Sequence, residues 1–318
     1  MPFPSPFNET PDRFSMSEDA ALTRKLLPMG QKYPKASFAV MNLMAGGATY
    51  GGWNMTRPRY SGSVMKMTVL YAAYRLRERA RLAAVGYRKD QVFDAIRAGW
   101  KAEVERSVAG PANFPILQQI FEPFQSTVEF RDDFKKDIND MVETSNKEAA
   151  GRVIRAMLHQ YIDGAFAKQD FVKESMLWVG GDYANLEYAS EPVSKSHYAA
   201  SPKGLLRFLG LLHTDAMIDA ATSKLMKSQA KNFWAKKDHF TWTQIDKTKS
   251  YGKLGWEYRN IKLNKDQDIF DAGVIDRKLP SGGTFQYAFV IQGLLWGEYV
   301  EVLEHLDKTV INHHFGRP

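Results

Sequence analysis

The spacing of apolar and polar positions changes period twice along the chain. Ser37–Gly47, SFAVMNLMAGG, is apolar and rich in β-forming residues, and ATYGGWNM follows the Gly46-Gly47 pair. Together they predict a β-hairpin. Ahead of it, behind a proline-rich arm, a short helix is expected near Glu18–Leu27. From Ser63 the period lengthens. MKMTVLYAAYRLRERARLAA places Met65, Val69, Ala72, Ala73 and Leu76 on one broad helical face. Helical segments continue through QVFDAIRAGWKAEVERSV, FRDDFKKDINDMVETS, KEAAGRVIRAMLHQYI and SPKGLLRFLGLLHTDAMIDAATSKLMKSQ. Ser201-Pro202 opens the last of these, with proline at the first helical position. After about Phe240 the pattern returns to strands in FTWTQIDKTKSYGKLGWEY, DAGVIDRKLPSGG and TFQYAFVIQG, with Ser281–Gly283 as a turn. LLWGEYVEVLEHLDKTVINHHF closes the chain as an amphipathic helix.

Strands, then a block of helices, then strands and a helix make an α+β pattern. Strands from both ends of the chain can share one antiparallel sheet flanked by helices, with an all-helical lobe inserted between them. The expected division is 1–60 with 228–318 as an α/β lobe and 61–227 as the helical lobe. A cleft between two such lobes is a usual place for a site.

Composition narrows the chemistry. The 318 residues are 44% hydrophobic and 25% charged, the balance of a globular protein, with no internal repeat. No apolar run approaches the ~18 residues of a membrane span. Cysteine is absent, which excludes disulfides, thiolate nucleophiles and cysteine-ligated metals. The net charge of +7 raises nucleic-acid binding. The basic residues are scattered among 36 acids rather than clustered, and the densest run, RLRERARLAAVGYRKD from Arg75, reads as a solvated helix face. The first residues lack the basic start and apolar core of a secretory signal. The expected compartment is the cytoplasm, or the periplasm or exterior if a signal has been removed. Oligomeric state is open.

Three short patterns carry candidate chemistry. YSGSVMKM contains Ser63-Val64-Met65-Lys66, an S-x-x-K where a glycine-containing loop turns into a helix. The serine hydroxyl there lies near the positive end of the helix dipole. Lys66 follows one turn later on the same face. Held in a partly dry cleft, its ammonium loses stability and the neutral amine can take the serine proton. Alone, S-x-x-K recurs by chance in chains of this size. MVETSNKEAAGRVI offers Ser145-Asn146-Lys147, or in another register Thr144-Ser145-Asn146. Either supplies a hydroxyl to relay a proton and an amide to hold substrate or Lys66. A plain helix N-cap at Ser145 is the simpler reading of the same residues. SYGKLGWEY offers Lys253-Leu254-Gly255 on a strand. A competing register, Lys247-Thr248-Lys249, has the hydroxyl but no glycine.

In this order, the three resemble the S-x-x-K, S-D-N and K-T-G elements of the penicillin-binding protein and class A β-lactamase superfamily. The resemblance runs from Ser37 to near Phe315. It implies a β-lactamase/transpeptidase-like fold with Ser63 as nucleophile, Lys66 as general base, Ser145 as proton relay and Lys253 as electrostatic stabiliser. Asn146, Gly255 and Trp256 would border the substrate, the backbone N–H groups of Ser63 and Trp256 forming an oxyanion hole. Gly255 would let substrate lie close to the strand. No metal or other cofactor is called for.

Two features depart from that superfamily. Leu254 stands where it carries a hydroxyl that binds a substrate carboxylate. The loop before Ser201 holds Asp182, Glu187 and Glu191, and Glu191-Pro192 lies too close to Ser201-Pro202 for a comfortable match to the deacylating glutamate. The expected function is a serine hydrolase or acyltransferase acting on a small-molecule or peptide-like amide or ester through an acyl-serine. The alternatives are a penicillin-binding D,D-carboxypeptidase or β-lactamase, and a catalytically silent binding protein of the same fold. No nucleic-acid or membrane-spanning role is expected. His313-His314, pointing about 100° apart on a helix, reads as a frayed tail rather than a metal site. Asp266, Asp268 and Asp271 read as a solvated hairpin loop. Trp178 and Trp256 flank candidate site segments.

Overall fold

The computed structural model describes residues 13–44, 47–98, 115–158, 161–162, 165, 199–235, 244–260, 265–279 and 281–316. Its centre is a six-stranded sheet ordered β1-β3-β2-β10-β9-β8. The strands are β1 (Met16–Glu18), β2 (Ser37–Asn42), β3 (Ala48–Trp53), β8 (Tyr251–Asn260), β9 (Lys265–Lys278) and β10 (Thr284–Leu294). All pairs are antiparallel except the short β1–β3 edge. Strands from the two ends of the chain meet where β2 pairs with β10, as at Val40 opposite Phe289. Two small ribbons accompany it: β4 (Arg59–Tyr60) with β7 (Ala199–Ala200), and β5 (Phe121–Phe124) with β6 (Thr127–Phe130).

Alternation along the strands divides the sheet into two faces. On β2, Phe38 and Val40 point one way and Ala39 and Met41 the other. On β10, Phe285, Tyr287, Phe289 and Ile291 share the first face, and Ala288 and Val290 the second. The bulky face is covered by α1 (Ala20–Lys32) and α8 (Trp296–Phe315) through Leu22, Leu26, Val302 and Leu306. The small-residue face receives α2 (Met65–Ala84) and α6 (Pro202–His213), where Leu205, Phe208 and Leu209 are buried. Each large side chain so buried contributes about 1.5–3 kcal/mol.

The remaining helices are a short α3 (Leu117–Ile120), α4 (Asp132–Glu143), α5 (Lys147–Met157) and α7 (Ala220–Ala235). α4 and α5 are amphipathic and bury Phe134, Ile138, Met141, Val153 and Ile154. Asp19, with its side chain accepting from Ala21 and Leu22 N–H at 2.9 Å, starts α1, which runs through Pro28 to Lys32 and beyond the expected end.

Several sequence expectations need correction. α2 does not show a single buried face: every residue from Met65 to Leu76 is buried, because this helix sits at the centre of the helical layer. The predicted solvated basic face is partly internal, with Arg75 8% exposed and Arg77 lying over the Tyr74 ring. The long helical segment from Ser201 breaks at Thr214–Asp219, where Asp215 and Ile218 take positive φ. Asp268 and Asp271 belong to β9 and are buried, not solvated. The two histidines do not fray: α8 continues to Phe315, His313 bonds Asp19 at 2.7 Å, and His314 packs on Phe285. Trp178, Asp182, Glu187, Glu191 and Pro192 lie outside the described residues, as does the proline-rich arm.

Candidate active site

Ser63 lies in a 3₁₀ turn, Gly62–Val64, that leads directly into α2. Gly62 takes φ +47°, a left-handed conformation that glycine adopts at little cost. A Cβ there would come within 3.2 Å of Phe270. The preceding segment is tied to the sheet by buried polar contacts. Ser61 Oγ donates to the Arg59 carbonyl at 3.0 Å and accepts from Gln292 Nε2 at 2.9 Å. Gln292 also donates to the Ala200 carbonyl at 3.1 Å. Tyr60 meets the edge of Phe270 with ring centroids 5.4 Å apart. The nucleophile candidate is therefore anchored to β10 and β7 as well as to its own helix.

The second segment lies in the tight junction between α4 and α5. Ser145 has φ +58°, an uncommon conformation for a residue with a side chain and a feature often found at functional sites. The junction is closed by Asn146 N–H and Thr144 Oγ1, both donating to the Asp140 carbonyl at 3.0 and 2.8 Å. The helix N-cap is Asn146 rather than Ser145: its side chain accepts from Ala149 N–H at 2.9 Å. That role occupies the side-chain oxygen expected to hold substrate or Lys66. It is the Asn146 main-chain carbonyl that accepts from Lys66 Nζ, at 3.4 Å.

Lys66 is 1% exposed. Its Nζ donates to the Ser145 carbonyl at 2.7 Å and to Ser145 Oγ at 3.3 Å. Burial, reinforced by the neighbouring Lys147 charge and opposed by Glu148, lowers its pKa to about 7. Ser145 Oγ lies 3.1 Å from Ser63 Oγ. Lys253, fully buried on β8, donates to the same Ser145 hydroxyl at 2.9 Å and to the Leu254 carbonyl at 3.3 Å. One hydroxyl thus joins two lysines to the serine at the start of α2.

β8 is the outer strand of the sheet and passes the Ser63 turn. At Gly255 a Cβ would stand 2.6 Å from Ser63 N. The glycine is required for the strand to approach the nucleophile turn itself, a closer constraint than the expected approach of substrate. The competing Lys247–Lys249 segment forms a turn in which Thr248 Oγ1 donates to Asp246 at 2.6 Å, away from any strand register.

Ser63, Ser145, Gly255 and Trp256 open onto a cleft of about 370 Å³. Trp256 and Trp296 supply its exposed apolar surface, Leu254 and Ile269 are buried at its lining, and Thr144, Lys147 and Gln267 add polar groups. Trp296, Ile269 and Gln267 escaped sequence reasoning because they come from the start of α8 and from β9, with no local pattern linking them to Ser63. Lys147 was visible only as the third residue of the second element. Among the described residues, no cluster of histidine and acidic side chains could hold a metal ion. No helix among them is long and apolar enough to cross a membrane.

No family description matches the sequence, and no curated protein matches it. Solved structures do. TLA-3 extended-spectrum β-lactamase is 13% identical with a TM-score of 0.56, covering 92% of this chain and 98% of its own. A β-lactamase from Chitinophaga pinensis DSM 2588 is 13% identical with a TM-score of 0.58, over 92% and 99%. The fold is that of β-lactamases and penicillin-binding proteins. PBP-A in acyl-enzyme complex with penicillin G aligns likewise, 12% identical with a TM-score of 0.54, over 96% and 98%. In this β-lactamase-like fold the mixed α/β architecture is preserved while nearly nine residues in ten differ from each of these neighbours.

Proposed function

We propose that the chain is a serine hydrolase or acyltransferase that acts on an amide or ester through an acyl-Ser63 intermediate. The observation that carries this reading is the convergence of Lys66, Lys253 and Ser63 on the Ser145 hydroxyl, with Lys66 brought to a pKa of about 7. An amine half-neutral near pH 7 is suited to accept and return a proton. As Ser63 Oγ bonds to the substrate carbonyl carbon, its proton passes to Lys66. The backbone N–H groups of Ser63 and Trp256 hold the developing oxyanion. Collapse breaks the bond to the leaving nitrogen or oxygen, which takes a proton from Lys66 by way of Ser145, with Lys253 stabilising the charge around that hydroxyl. Water then releases the acyl group, or an acceptor hydroxyl or amine takes it. In this reading the cleft lies between a lobe of residues 1–60 with 228–318 and a lobe of residues 61–227.

A second reading, β-lactam acylation or hydrolysis, draws on the neighbours, one of which is a penicillin acyl-enzyme. The test common to both is intact mass after exposure to a fluorophosphonate. One adduct on the wild type, absent in Ser63→Ala, is expected. A folded wild type that forms no adduct would sink both readings in favour of a silent binding protein. Turnover of a chromogenic cephalosporin separates the second reading from the first.

A further inference from the structure

The lining of the cleft includes four apolar side chains. Leu254 and Ile269 are 6% and 2% exposed, buried in the core cluster under α8. At the rim stand Trp256 and Trp296, 46% and 47% exposed. Large aromatic surface left in water at a concave site is uncommon unless something covers it. The two tryptophans come from unrelated parts of the fold, β8 and the first turn of α8, yet both line the same cleft. Trp296 is held in place from behind by Tyr299, with ring centroids 5.5 Å apart. Tyr299 in turn donates to the buried Asp271 at 2.6 Å. The rim is therefore built on a braced platform. Among the described lining residues, Lys147 is the one exposed ionisable group.

We infer that this pair of indoles selects the substrate, and that the group it takes is an alkyl or aryl chain without charge, carried next to the bond that Ser63 attacks. The inference rests on the acyl-Ser63 reading above and adds the substrate class to it. A chain of several methylenes laid against the two indoles gains affinity with each methylene removed from water. A terminal carboxylate would have to give up its hydration against those rings, with Lys147 on the rim as its only compensation among the described lining residues.

Alkylboronic acids test this directly, because each carries a single substituent and adds reversibly to an activated serine. Methylboronic, hexylboronic and 5-carboxypentylboronic acids would be compared by their ability to slow fluorophosphonate labelling of Ser63. The expected result is that hexylboronic acid binds about 10-fold or more tightly than either of the others. Trp296→Ala, a change at a half-exposed position, should bring hexylboronic acid to within about 3-fold of the methyl compound. Equal binding of all three, or tightest binding of the carboxypentyl compound through Lys147, would overturn the inference while leaving the acyl-serine reading intact. Failure of the fluorophosphonate to label the wild type would remove that reading, and the inference with it.

Discussion

Two buried polar clusters beside the central sheet hold charge in opposite ways. Behind it, under α1 and α8, the cluster is built on carboxyls bonded to neighbouring side chains. Asp307 accepts from Arg277 at 3.1 Å and from the Tyr287 hydroxyl at 2.7 Å, and Asp271 accepts from the Tyr299 hydroxyl at 2.6 Å. Burial pushes Asp271 up to about 7, against the pull of Tyr299 and of Lys253. In front, at the start of α2, the buried groups are the amines of Lys66 and Lys253, directed at hydroxyl and carbonyl oxygens. The rear arrangement holds elements together. The front one holds an amine in a state where gaining or losing a proton costs little near neutral pH. On the acyl-serine reading proposed above, the difference is the one between a structural and a working polar site.

The comparison is most directly broken at the two glycines that mark each region. Gly255→Ala places a methyl 2.6 Å from Ser63 N, so acylation by a fluorophosphonate should slow by about 100-fold. Gly297→Ala, where a Cβ meets nothing within 4 Å, should leave that rate unchanged. Equal effects from the two would show that strand β8 does not position the serine.

Asp307→Ala attacks the rear network, leaving Arg277 and Tyr287 buried without this acceptor. A loss of about 3 kcal/mol in urea unfolding is expected, with labelling of the folded fraction unaltered. A loss of labelling without a loss of stability would reverse the assignment of the two clusters.

Lys66→Met should do the opposite, abolishing labelling while raising stability by about 1–2 kcal/mol at pH 7. The sign follows from proton counting. The folded pKa of about 7 lies below the ordinary lysine value of 10.5, so between them the unfolded chain binds more protons. Stability gained from replacing Lys66 is therefore full below about pH 7 and fades as pH rises towards 10.5. In the wild type, labelling should climb with pH to a plateau above about 7. A flat profile would argue that Lys66 is not the base.

The smallest effect is expected from Lys147→Gln. The Lys147 charge lowers the Lys66 pKa. Its removal should move the midpoint of the labelling profile to higher pH by a fraction of a pH unit, without changing the plateau. A shift to lower pH would contradict the electrostatic coupling.

Much of this was legible in the sequence. The change from period 2 to helical period and back located the strands and the helical block, because each face of a buried element must be apolar at its own spacing. Ser63-Val64-Met65-Lys66 was readable because four consecutive residues create the serine, the turn and the lysine together. Asp271 was misread: three aspartates within six residues look solvated, and nothing local reveals that Tyr299 supplies a buried hydroxyl. His313 was misread for the same reason, since Asp19, 294 positions earlier, is its partner. The N-cap at Asn146 instead of Ser145 turned on a single residue's φ.

The sequence by itself determined the broad order of strands, helices and strands, the α+β class and the residues proposed as nucleophile, base and relay, because these depend on local periodicity and side-chain chemistry; the β5–β6 hairpin inside the block read as all-helical was missed. Only the tertiary structure decided which lysine of two registers reaches Ser145, why residue 255 must be glycine, and that Trp296 joins Trp256 at one cleft. Those facts depend on distances between segments far apart in the chain. They are set by how the sheet pairs and packs, which no single stretch of sequence encodes.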